Sequence, residues 1–176
     1  MRDSKRTVDL KLLLQFSVDD FRNKYAGSLI GVTWAFIQPI MTIIIYWFIF
    51  QVGFKSQPVA DYPFILWLIA GLIPWFFISE AVTGVTSSLA EYSYLVKKIL
   101  FNVNILPLTR IYSCFLVQIF LVLFTIIFFA LFGYLPDLYY LQLPYYMVYM
   151  LVILTGIGYC TAAFYPFFKD LLQIVN

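Results

Sequence analysis

Leu95-Val96-Lys97-Lys98-Ile99-Leu100-Phe101-Asn102-Val103-Asn104-Ile105-Leu106-Pro107 sets two adjacent lysines between two apolar runs, each long enough to cross a bilayer. Cations beside membrane spans favour the cytoplasmic side. This one segment therefore orients every span before and after it. The rest of the chain can be read outward from there.

The composition is that of a membrane-embedded chain. Hydrophobic residues make up 63% and charged residues 11%, with a mean hydropathy of +0.90, whereas soluble domains average about 45–50% and about 25%. A net charge of +2 gives no reason to expect nucleic acid as a partner. The chain has no histidine, which removes the commonest general base and the commonest transition-metal ligand. Cys114 and Cys160 lie far apart in apolar runs, so they suggest buried thiols rather than a disulfide framework or a metal site.

Before the first span, residues 8–24 repeat Leu10, Leu13, Leu14, Val18, Phe21 and Tyr25 at helical spacing, with Lys11, Gln15, Asp19, Arg22 and Asn23 opposite. This predicts an amphipathic helix in the membrane interface, with a helix packed on the protein as the alternative. A hydrocarbon core about 30 Å thick needs about 20 helical residues. Four runs meet that need, at 29–54, 63–84, 107–133 and 144–164. The predicted fold is therefore an all-α membrane protein, one transmembrane domain of an N-terminal interfacial helix and four spans. Arg2, Lys5, Arg6, Lys11, Arg22, Lys24, Lys97, Lys98, Arg110 and Lys169 fall on one side and only Lys55 on the other, so the N-terminus is expected in the cytoplasm.

Polar residues inside the spans are few. Gly27, Gly31, Ala35, Gln38 and Thr42 share one helical face, suited to close helix packing or to lining a pathway. Glu80 is a carboxylate well inside an apolar helix, in line with Gly84, Ser87 and Glu91. Such a group is costly in lipid and faces protein or water; a structural pairing with Arg110 is the preferred reading. Tyr139, Tyr140, Tyr145, Tyr146 and Tyr149 crowd the far end of the last span, where an aromatic belt belongs.

The chain carries no phosphate-binding G-x-x-x-x-G-K-[ST] loop, no G-x-S-x-G elbow and no H-E-x-x-H. No catalytic or metal-ligating set is expected, and a conduit fits better than a catalyst.

Three stretches resemble the permease subunit of ABC exporters for lipid-linked polysaccharides, the group that moves O-antigen and teichoic acid chains. The first is Lys24-Tyr25-Ala26-Gly27-Ser28-Leu29-Ile30-Gly31-Val32-Thr33-Trp34 with Gln38-Pro39 following. The second is Ala70-Gly71-Leu72-Ile73-Pro74-Trp75-Phe76-Phe77, and the third runs from Tyr94 through Lys97-Lys98 to Leu106-Pro107. Phe168-Lys169-Asp170 is a weaker fourth match. The chain departs from the family pattern at Lys24, where an arginine is usual, and at Asn102, where a proline is usual.

The resemblance implies a multi-pass protein of the bacterial cytoplasmic membrane. The family has six spans, with short outer gate helices between the last two, so this chain supplies the first four and stops at the start of the fifth. The resemblance further implies that the N-terminal helix and the loop at 91–104 touch a separate nucleotide-binding subunit, with Glu91, Lys97 and Lys98 as coupling residues. ATP and magnesium would sit on that partner and no cofactor on this chain. A second copy of the permease, membrane lipid and the lipid-linked polysaccharide are the other implied partners. Trp34, Tyr46, Trp75 and Phe76 are candidate pathway aromatics that sugar rings slide along. Two other readings use the same residues: an ion- or proton-coupled carrier working through Glu80, and a membrane enzyme acting on lipid-linked sugars.

Overall fold

A computed structural model describes residues 2–27, 29–58, 62–92, 105–134 and 136–176, with side chains described from residue 13 onward. Lys97, Lys98 and most of the expected coupling loop lie outside the described residues. No strand occurs among the described residues. The helices are α1 (Arg2–Tyr25), α2 (Trp34–Trp47), α3 (Phe64–Glu91), α4 (Ile105–Leu131), α5 (Gln142–Phe164) and the short α6 (Leu171–Val175). A 3-10 turn, Gly31–Thr33, leads into α2, and one π-helical stretch, Phe48–Gly53, continues it. Another 3-10 turn, Leu138–Leu141, leads into α5.

Among the described residues, four segments are long and apolar enough to cross a membrane: Gly31–Gly53, Phe64–Glu91, Ile105–Leu131 and Leu138–Phe164. The second runs well past the expected end at residue 84. Glu80, Ser87 and Glu91 lower its hydropathy without breaking the helix, because the bundle gives each of them a partner. Its 28 residues rise about 42 Å, more than a hydrocarbon core of about 30 Å.

The central helix is α3, packed along both α4 and α5. Leu66, Ile69, Ile73, Phe77, Ala81 and Val85 are all at most 3% exposed and recur every three or four residues, the buried stripe of a helix. Hydroxyls on this face keep their hydrogen bonds inside the helix: Thr86 Oγ1 donates to the Val82 carbonyl at 2.8 Å and Ser88 Oγ to that of Val85 at 2.7 Å. On α5, Thr155, Gly158 and Ala162 fall in line as a small-residue face; Gly158 and Ala162 are buried and Ala162 packs with Val85 and Ile111.

The first small-residue face behaves otherwise. A Cβ added at Gly27 or Gly31 would meet nothing within 4 Å, and Gly31 has φ +59°. It turns the chain from α1 into α2 instead of admitting a neighbouring helix. Only Ala35 of that set is buried. Cys114 is buried as expected, but Cys160 is exposed on the outer side of α5.

Gly133 closes α4 at φ +89°. Tyr134 N donates to Phe129 O at 3.1 Å and Gly133 N to Ala130 O at 3.0 Å, the paired bonds of a Schellman cap. An L-residue in that left-handed conformation is strained by about 1–2 kcal/mol. Gly133→Ala is therefore expected to lower thermal stability in detergent by about that amount, and a neutral result would show the cap to be dispensable.

Candidate functional site

The ends of α3 and α4 that flank the 93–104 segment carry a connected set of charges. Arg110, in the second turn of α4, donates from Nη1 to Asp20 Oδ1 at 2.9 Å and from Nη2 to Glu91 Oε2 at 3.1 Å. Ser87 Oγ donates to the other Glu91 oxygen at 2.6 Å. The Tyr92 hydroxyl donates to Asp20 Oδ1. One turn further along α1, Lys24 is ion-paired with Glu80. Three elements that are remote in sequence thus meet in one ionic junction.

Their environments differ sharply. The Asp20 side chain is 2% exposed and that of Arg110 14%, whereas Glu91 is 45% exposed. Surface ion pairs contribute about 0–1 kcal/mol, but a buried charge that loses its partner costs about 3–5 kcal/mol. The Asp20–Arg110 pair therefore governs the junction, and Glu91 adds little. Glu91→Gln is expected to shift stability by no more than about 1 kcal/mol, measured by thermal unfolding in detergent; a larger loss would give Glu91 a buried role it lacks here.

Burial opposes the charge on Lys24, but Glu80 more than offsets it, so the ammonium holds its proton more tightly than usual. Burial, and then the bond to the Asp20 carboxylate, push the Tyr92 phenol well above its ordinary range. Tyr92 consequently remains a hydrogen-bond donor at any physiological pH.

Gly84 makes room for this arrangement. A Cβ there would lie 2.9 Å from Arg110 Nε and 3.2 Å from its Cγ. The close approach lets Arg110 lie against α3 while its guanidinium bridges Asp20 of α1, which packs on α4, and Glu91 of α3.

These pairings correct one sequence reading: Glu80 is partnered by Lys24 rather than by Arg110. Glu91 is the last residue of α3, an acceptor for Arg110, and 45% exposed at the edge of the 93–104 segment. The α1 helix also packs by an unexpected face. Ser17 and Asp20 are buried at 2% and 3% exposure, and Phe21 and Tyr25 pack against the core, while Leu14 and Val18 face outward. Its described second half is thus a packed helix that keeps an apolar outer side, which joins the two alternatives read from its periodicity. Periodicity sets Asp19 on the polar face and does not single out Asp20. The line Ser17, Asp20, Lys24 at i, i+3, i+7 was the available signal.

Above the junction, a cleft of about 480 Å³ opens between α2 and α3. Gln38 and Thr42 of α2 face Ser79, Glu80 and Thr83 of α3 across it. Of the candidate aromatics, Phe76 lines this cleft. Trp34, Tyr46 and Trp75 are 41%, 40% and 62% exposed and line no part of it. No group of residues able to hold a metal ion occurs among the described residues.

No family model matches the chain. It is similar to proteins named O-antigen export system permease protein RfbA: 24% identical to one from Myxococcus xanthus, over 94% of this chain and 62% of that protein. Two from Klebsiella pneumoniae are 26% and 24% identical, each over 94% of this chain and 63% of the relative. The chain thus spans a little over three fifths of the length of the curated relatives it matches. The resemblance read from the three motifs is borne out by this similarity. Together with four membrane-capable helices it makes the chain a multi-pass protein of the bacterial inner membrane.

Proposed function

We propose that the chain is the transmembrane part of an ATP-driven exporter of lipid-linked polysaccharide. It would work as two copies facing each other, with ATP and magnesium on a separate nucleotide-binding subunit. Similarity to O-antigen export permeases along nearly the whole chain supports the substrate class. The one observation that carries the mechanism is the placement of the junction. Tyr92 and Arg110 stand on either side of the 93–104 segment, and both grip Asp20 of α1.

A push on that segment by a closing ATPase would load α3, α4 and α1 together, as one rigid group. Coupling of this kind needs an element with two arrangements and contacts that differ between them. The cleft between α2 and α3 is the space such a movement would open or narrow. Lys97 and Lys98 would meet acidic side chains on the motor. The N-terminus and the junction would lie in the cytoplasm, in keeping with the ten-to-one bias of basic residues.

A carrier driven by protons would need Glu80 to gain and lose one in each cycle. Glu80 is instead engaged by Lys24, so the geometry gives a carrier no free carboxylate there. Exchange of both Lys97 and Lys98 for glutamate, in the complete exporter, is expected to abolish stimulation of the ATPase by the permease while membrane insertion is unchanged. Normal stimulation with correct insertion would remove the coupling role.

A further inference from the structure

We infer that the α2–α3 cleft is built for an uncharged, hydroxyl-rich chain and disfavours a polyanionic one. This rests on the proposed polysaccharide pathway and adds the charge class of the substrate. The inference comes from the state of the groups on the cleft wall.

Both cations there are already engaged, Lys24 by Glu80 and Arg110 by Asp20 and Glu91. Of the ionic set, Lys24, Arg110, Glu80 and Glu91 line the cleft, so its charges balance and neither cation is left over for an anion. The most exposed of these charges is a carboxylate: Glu91 is 45% exposed, Glu80 and Lys24 are 35% and 33% exposed as a pair, and the Arg110 guanidinium is only 14% exposed.

The hydroxyls point the same way. Thr83 Oγ1 donates to the Ser79 carbonyl at 2.8 Å, Thr42 Oγ1 to that of Gln38 at 3.0 Å, and Ser87 Oγ to Glu91 at 2.6 Å. Their protons are turned onto the wall, and their oxygen lone pairs are left for a ligand. These three hydroxyls therefore present acceptors, beside the Gln38 and Asn176 amides that also line the cleft. A ligand that brings many donors and no negative charge matches this wall. A sugar hydroxyl does so, and its apolar face can rest on Phe76. A phosphodiester brings acceptors and negative charge to a surface that already has both. No free cation in the cleft offsets this among the described residues.

The test uses the chain reconstituted in lipid nanodiscs, with a neutral galactan oligosaccharide and a poly(glycerol phosphate) of equal length as probes. Binding of the galactan is expected, with the phosphate polymer weaker by about tenfold or more because like charges would be juxtaposed. Glu80→Gln releases Lys24 from its pair, so it is expected to raise phosphate-polymer binding relative to galactan binding. Equal binding of the two polymers by the unaltered chain would overturn the inference and leave the glycan pathway standing. Binding of neither would overturn the pathway itself. Should Glu80→Gln fail to fold, the comparison of the two polymers on the unaltered chain decides the matter by itself.

Discussion

Replacement of Arg110 with methionine is expected to destabilise the protein by about 3–5 kcal/mol, the usual loss when one member of a buried ion pair is removed. Asp20 would be left 3% exposed with its main charge partner gone. Its other oxygen, Oδ2, has no hydrogen-bond partner among the described residues even now. Tyr92 can still donate to Oδ1, but one hydroxyl does not neutralise a carboxylate in low dielectric. Thermal unfolding in detergent, followed by tryptophan fluorescence, would measure the effect. Adding Asp20→Asn to the Arg110 variant should recover a large part of the loss, since the uncompensated charge is then removed. Additive losses in the double variant would mean that the two side chains are not coupled. Arg110→Lys is expected to fall between, because an ammonium cannot span Asp20 and Glu91 with a planar fork.

The second large effect concerns the α3–α5 contact. A Cβ at Gly158 would lie 2.6 Å from Val85 Cγ1 and 3.4 Å from its Cβ. Val85 is 1% exposed and branched next to its backbone, so it cannot swing aside. Gly158→Ala is thus expected to force the helices apart, at about 1–3 kcal/mol, and to lower the unfolding temperature in detergent. Small residues at such crossings are what let helices approach in lipid, where no hydrophobic effect drives them together. Val85→Ala in the same chain should restore much of the loss by clearing the space. If Gly158→Ala alone were silent, the contact would be looser than the structure places it.

The two effects differ in how far the sequence foretold them. Gly158 was legible, because Thr155, Gly158 and Ala162 form a small-residue line on a span whose limits hydropathy already defined. Such patterns are local: they depend on spacing within one helix, and the bundle keeps them. The four spans were readable for the same reason, although Glu80 and Ser87 drew the end of α3 too early. Partners across the fold were not legible. Glu80 and Arg110 are both intramembrane charges, and no spacing rule says that Lys24, 56 positions away, reaches Glu80 first. Nor does the sequence reveal that α1 turns Asp20 inward while Leu14 and Val18 face out. That choice pairs Asp20 with Arg110, whose place against Gly84 exists only once α3 and α4 are packed.

The account's central claim is that the ionic junction and the segment between α3 and α4 face the cytoplasm, where an ATPase can act on them. Lys98→Cys, with Cys114 and Cys160 replaced by serine, would be treated with a membrane-impermeant maleimide in right-side-out and inside-out vesicles. Labelling in inside-out vesicles alone is the expected result. Labelling from the outside of sealed right-side-out vesicles would place the junction on the wrong face of the membrane and contradict the account.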